Sequence, residues 1–200
     1  GDLHVRVPPG TRVSDADKWI LHSLNLLVQK VNESFDGYRM YEAADLIYHF
    51  IWDEYCDWYL EFSKSDLESP QTRSVLKLTL LRILQLLHPF MPYISEEIYQ
   101  KIKADKDFLI QTEFPAFTRE FVFPEAHAAV ETLKKVVAET RKTRTENRIE
   151  PNKKIPIFLK CDAPLERQHL EKHLKYFDFL SRSLKTEIVA DLSLLPKGFR

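Results

Sequence analysis

The chain predicts a mainly α fold, an antiparallel helical bundle followed by a small α+β subdomain. Three observations predict it. Apolar residues recur at helical spacing through about residue 103. Proline and glycine cut that pattern into runs of helical length. Only beyond residue 125 do two short strand-like runs, IPIFLKC (155–161) and TEIVA (186–190), alternate with helical ones.

Residues 1–13, with Pro8, Pro9 and Gly10, read as an opening segment. Ser14 is a good N-cap, and Asp17 three residues on completes a capping-box-like start. Helical spacing from Asp15 to Ser34 aligns Trp19, Ile20, Leu24, Leu27, Val28 and Val31, until Asp36-Gly37 stops the run. A second helix, about Tyr41 to Lys64, carries Ala43, Ala44, Ile47, Phe50, Ile51, Trp58 and Phe62 on one face. Tyr48, Trp52, Tyr55 and Tyr59 widen that face, while Asp53, Asp57 and Glu61 form a wet edge. Most of this helix is therefore expected in the core.

Ser69-Pro70 pairs a cap with proline at the first helical position, opening a third helix to Leu87. Pro89 and Pro92 break the chain, and Ser95 followed by Glu96 and Glu97 starts a short fourth helix to about Lys103. The bundle thus spans residues 14–107. Residues 108–124, rich in Phe and Pro, suit an extended strap. Residues 125–200 form the α+β part, with a helix at about 125–144 before the first strand and one at about 165–176 between the strands.

Composition limits the function classes. Hydrophobic content of 44% supports a packed core, so disorder is not expected. No apolar run is long enough to span a bilayer and no secretory signal appears, which predicts no membrane partner and a cytoplasmic setting. Cys56 and Cys161 stand far apart without metal-site spacing. The chain opens at Gly1 and its first methionine is Met40, so it reads as an excised piece of a larger protein.

Catalytic signatures are not found. Glycine occurs at 1, 10, 37 and 198, which leaves no phosphate cradle. His169 and His173 share one helix face but lack a third ligand, so a solvated face outweighs a metal. His88 reads as a helix-end residue bonded to nearby backbone rather than as a base, and the carboxylates from Asp53 to Glu61 as a solvated edge rather than acid–base pairs.

What remains is charge placement. Net charge is −1, yet residues 130–160 hold nine cations against four anions, and residues 42–68 hold eight acids against Lys64 alone. A basic stretch of that kind is either a phosphate-facing surface or an ordinary helix face. On a helical wheel Lys134, Arg141 and Arg148 form one stripe, and Arg144 falls within the apolar arc. There its guanidinium must find a carboxylate or an RNA group.

Three segments then converge. DADKWIL (15–21), YRMYEAADLIYHFIWDEYCDWYLEFSK (38–64) and LLHPFMPYISEEIY (86–99) resemble the anticodon-binding helical domain of class I aminoacyl-tRNA synthetases of the isoleucyl, leucyl and valyl branch. RKTRTENRIEPNKKIPIFL (141–159) resembles the valyl signature Arg-x-x-Arg-x-Glu-x-x-Ile-x-Pro, matched by Arg141, Arg144, Glu146, Ile149 and Pro151. Met40 stands where relatives often have Phe and Tyr99 where they usually have Trp; both swaps are expected to preserve packing. The class's HIGH and KMSKS signatures do not occur, and the family's coiled-coil arm is not found before the chain ends at PKGFR.

The resemblance implies a module that holds the anticodon stem-loop of a tRNA, valine-specific by the signature, for a parent ligase that uses ATP and Mg²⁺ elsewhere. This chain is expected to be non-catalytic, without cofactor or metal of its own, monomeric, and partnered by the parent's catalytic domain. Candidate tRNA-binding residues at the junction of the first two helices are Lys30, Asn32, Tyr38, Arg39 and Tyr41, although junction packing serves Tyr38 and Tyr41 equally well. The basic segment adds Arg141, Arg144, Arg148, Lys153 and Lys154. Trp52, Trp58 and Tyr59 are expected in the core. The alternatives are the same role in an isoleucyl or leucyl enzyme, or a helical protein–protein docking module.

Overall fold

The computed structural model of the protein describes residues 13–102, 107–150 and 152–189. Parts of the sequence expectations lie outside these residues: most of the opening segment, the helix end at Lys103, the signature residue Pro151, and Ala190. The chain forms two compact units that divide between residues 127 and 128.

The first unit is the bundle. Helix α1 (Asp15–Asp36) opens with a full capping box: the Asp17 amide donates to Ser14 Oγ (3.0 Å) and the Ser14 amide to the Asp17 carboxylate (3.3 Å). Helix α2 (Met40–His49) runs into a π-helical stretch (Phe50–Tyr59) and then α3 (Leu60–Ser63). Helices α4 (Pro70–Leu87) and α5 (Pro92–Ile102) complete the bundle. Trp19, Ile20, Leu24, Val31, Ile47, Tyr59, Phe62 and Leu86 are buried at its centre, with Trp19 edge-on to Phe62 at 6.0 Å. Leu81, Leu84, Tyr99 and Leu109 form a further buried cluster, so Tyr99 does fill a core position.

The π-helical stretch explains how an acid-rich sequence packs. Its i→i+5 bonding lengthens each turn. Buried positions after Phe50 therefore fall at Tyr55 and Tyr59 and then at Phe62. An uninterrupted α-helix would have turned Asp53, Glu54 and Asp57 toward that face. Instead Asp53 and Asp57 stay exposed. One expectation is corrected here: Tyr48 and Trp52 are not core residues but stand more than half exposed, since both point away from the face set by Ala43, Ile47 and Phe50.

The start of α5 also departs from expectation. Pro92 opens the helix, and Ser95 lies buried inside its first turn rather than capping it. Its hydroxyl donates toward the Met91 carbonyl (2.8 Å), while His88 Nδ1 lies 2.8 Å from Ser95 Oγ. His88 is thus held by a side chain, not by backbone.

Residues 107–123 lie along the bundle as a strap, interrupted by two single 3₁₀ turns (Leu109–Gln111 and Arg119–Phe121). Polar side chains of the helices hold it. Asn25 exchanges two hydrogen bonds with the Thr118 backbone, Gln85 donates to Thr112 Oγ1 and the Glu113 carbonyl, and the Phe123 amide donates to His22 Nδ1.

Helix α6 (Pro124–Glu146) begins in the first unit and continues in the second. The second unit adds β1 (Ile155–Lys160), α7 (Pro164–Lys172), α8 (Leu174–Ser181) and β2 (Ser183–Val189), with the strands parallel, a βαβ crossover. The single helix expected at 165–176 is two, broken at His173, where the backbone leaves the helical region (φ −114°, ψ 16°). That imidazole is buried and its Nδ1 lies 2.7 Å from the His169 carbonyl. The pair serves as a local brace, and among the described residues no cluster of three or more His, Cys, Asp or Glu is placed to hold a metal.

Candidate nucleic-acid interface

The junction of α1 and α2 is built by a Schellman turn. The Arg39 amide donates to the Ser34 carbonyl (2.8 Å) and the Tyr38 amide to the Phe35 carbonyl (3.0 Å), which places Tyr38 in the left-handed region at φ 56°. Glycine is the usual residue there, since a side chain costs about 1–2 kcal/mol in that conformation. Here a tyrosine occupies it and projects its ring into solvent, 92% exposed. Tyr41 follows at 86%. Neither ring packs into the junction. Arg39 instead folds back, donating from Nε to Glu42 (2.6 Å) and from Nη2 to the Glu33 carbonyl (3.2 Å). Its guanidinium crosses Gly37, where a Cβ would collide with Nη1.

Beside the junction runs a groove of about 470 Å³, within the size range of small-ligand sites. Tyr41, Ala44, Asp45, Tyr48, Ile51 and Trp52 form one wall; Leu87, Phe90 and Met91, from the α4–α5 turn, form the other. Tyr48 and Trp52 lie a turn apart with ring centroids 6.4 Å from each other. Exposed π-faces grouped in this way suit the stacking of unpaired bases, each such stack being worth about 1–3 kcal/mol. His49, on the same helix, sits between two acids: Asp53 is 2.8 Å from Nδ1 and Asp45 3.7 Å from Nε2. The hydrogen bond to Asp53, helped by both negative charges, raises the imidazole above its usual titration range.

In the second unit the basic segment divides by role. Arg144 is only 7% exposed. From Nη2 it donates to the Glu150 carbonyl (3.1 Å) and the Lys153 carbonyl (2.5 Å). Its Nη1 is buried and finds no hydrogen-bond partner among the described residues. The residue therefore clamps the loop after α6 through backbone carbonyls, neither a carboxylate nor an exposed contact surface. A second Schellman turn closes α6, with the Ile149 amide on the Arg144 carbonyl (2.9 Å) and Arg148 left-handed at φ 53°. Arg148, Lys153 and Lys154 are all exposed on the loop thus held. Arg141 is exposed on α6 and donates to the Leu180 carbonyl (3.3 Å).

The helical stripe read from the sequence does not persist. Helix α6 ends before Arg148, and Lys134 is buried and paired with Glu131 (2.9 Å).

Of the residues named from the sequence, Lys30, Tyr38 and Tyr41 are exposed near the junction, and Arg39 is exposed but engaged. Asn32 is not free to read a base: its amide nitrogen donates to the Val28 and Pro115 carbonyls, which ties α1 to the strap. Sequence reasoning missed Tyr48, Trp52, Met91 and Tyr93, all at least half exposed. Their apolar character at helical spacing had placed Tyr48 and Trp52 in the core. The spacing of Ala43, Ile47 and Phe50 alone would have turned both rings away from the core.

Residues 17–159 match the family described as the anticodon-binding domain of tRNA ligase. Among curated proteins, the valine–tRNA ligase of Streptococcus thermophilus is 37% identical over 94% of this chain and 22% of its own length. That of Streptococcus mutans is 40% identical over 81% of the chain and 19% of its own. For Staphylococcus carnosus the figures are 32%, 93% and 22%. The chain spans about a fifth of the length of these relatives.

Proposed function

We propose that this chain, which belongs to the family of anticodon-binding domains of tRNA ligases, holds the anticodon loop of a valine tRNA for a parent valine–tRNA ligase. The observation that carries this reading is the exposed aromatic surface formed by Tyr38, Tyr41, Tyr48 and Trp52 beside a 470 Å³ groove. Single-stranded RNA loops are bound by stacking splayed bases on aromatic rings. In the second unit, Arg141, Arg148, Lys153 and Lys154 offer charge to phosphates, with Arg144 setting their loop.

The parent's ligase reaction would draw on ATP and Mg²⁺. The described residues do not fit either group, with neither a metal-ligand cluster nor a glycine-rich cradle among them. Binding and orientation are this module's part. Phe108, Ile110 and Phe117 of the strap present apolar surface suited to the parent's catalytic domain. A cytoplasmic, monomeric protein fits this role, and no helix among the described residues is long and apolar enough to cross a membrane.

The test is binding of valine tRNA and an unrelated tRNA at two salt concentrations. Preferential binding that weakens steeply with salt supports the reading. Undetectable or salt-independent binding to every tRNA contradicts it.

A further inference from the structure

The aromatic groove carries one charge, and it is negative. Of its nine lining residues only Asp45 is acidic, and none is a cation. Its carboxylate is half exposed and, among the described residues, makes only a 3.7 Å ion pair with His49 Nε2. At least one oxygen is therefore free to accept hydrogen bonds.

Such a lining refuses a phosphate and accepts a neutral ring that brings its own N–H groups. Resting on the reading above, we propose that Asp45 makes the groove selective for a loop base with an exocyclic amino group. Adenine, cytosine and guanine carry one; uracil does not. An amine donates to a carboxylate acceptor, as aspartate accepts from the cytosine amine in groove readout. Uracil instead turns a carbonyl oxygen toward the negative charge, with one ring N–H between its two carbonyls. Tyr48 and Trp52 supply the stack, which every base satisfies, and Asp45 supplies the choice among them.

The experiment uses the full chain and anticodon stem-loop RNAs in which each loop base is replaced by uridine in turn. At one position uridine is expected to weaken binding by about 5- to 100-fold, the span of a good base contact. Asp45→Asn, whose amide both donates and accepts, should still bind RNA while that penalty shrinks below about threefold. Asp45→Ser is the second variant, and both are checked for an unchanged thermal midpoint.

An undiminished uridine penalty in both variants, with Trp52→Ala still weakening binding, overturns the role of Asp45 while leaving the aromatic surface in place. Should Trp52→Ala bind every RNA as the parent chain does, the groove is no base site and both readings fall together.

Discussion

Tyr59 Oη donates to Asp17 Oδ1 at 2.6 Å, a bond between residues 42 apart in sequence. The other carboxylate oxygen accepts from Thr72 Oγ1 at 3.1 Å and from the Ser14 amide. One carboxylate, 1% exposed, therefore caps α1 and joins it to the π-helical stretch and to α4. Removing the phenol leaves a buried charge short of a donor. Tyr59→Phe should cost about 1.5–3 kcal/mol, seen as a lower urea midpoint at unchanged slope. RNA affinity at temperatures where the protein stays folded should not change.

Of the three left-handed side-chain-bearing residues among those described, Tyr38, Arg148 and Arg182, the two in the candidate binding regions, Tyr38 and Arg148, predict the opposite pattern. Each holds a helix C-terminal position where glycine is less strained, so the side chain stands there at some cost to stability. Tyr38→Gly and Arg148→Gly should each leave stability equal or higher by up to about 1 kcal/mol. Both should bind tRNA more weakly. Paired melting and binding measurements check this; unchanged binding would make the strained conformations purely structural.

Salt dependence separates contact from support in the basic segment. Arg148→Ala, Lys153→Ala and Lys154→Ala should each flatten the slope of log affinity against log salt by about 0.7–0.9. Arg144→Lys keeps the charge but loses the fork that grips two carbonyls. It should lower stability by about 1.5–3 kcal/mol while leaving the slope unchanged in whatever fraction remains folded. Lys172→Ala, on the exposed face of α7, should do neither.

Acid should loosen the strap. His22 accepts the Phe123 amide at Nδ1, with the His127 ring 4.9 Å away, and burial lowers its pKa below the usual 6.5 against an opposing interaction with the Phe121 backbone. A folded-state value below the unfolded one means that protonation favours the unfolded chain. The contribution is whole above pH 6.5 and is lost as pH falls from there through the folded value. Urea midpoints across that range should fall with pH, and less so in His22→Asn. His49 has the reverse sign: its raised value gives a contribution that is whole below pH 6.5 and fades as pH rises through the folded value. NMR titration should place its midpoint above 6.5, with Asp53→Asn lowering it.

Much of the bundle was legible because period and punctuation are local. Ser14 with Asp17 announced the first cap, and Ser69-Pro70 the start of α4. The spacing of Trp19, Leu24 and Val31 marked a buried face that the bundle does bury. The π-helical stretch was illegible, since no residue type announces it, and it decides that Tyr55 and Tyr59, rather than Asp53, Glu54 and Asp57, follow Phe50 into the core. Arg144 was half legible: its place in the apolar arc required a partner, but carbonyls brought near by a later turn are tertiary information. The same holds for the βαβ unit, where short runs named the strands and left their parallel pairing to the fold.

Trp52 tests the central claim most directly. Dissociation constants for a valine tRNA anticodon stem-loop are compared among the parent chain, Trp52→Phe and Trp52→Ala. With the ring more than half exposed, neither change should move the unfolding midpoint. Phenylalanine should keep most of the affinity, and alanine should lose about 1–3 kcal/mol of it. Equal affinity for all three proteins would contradict the account.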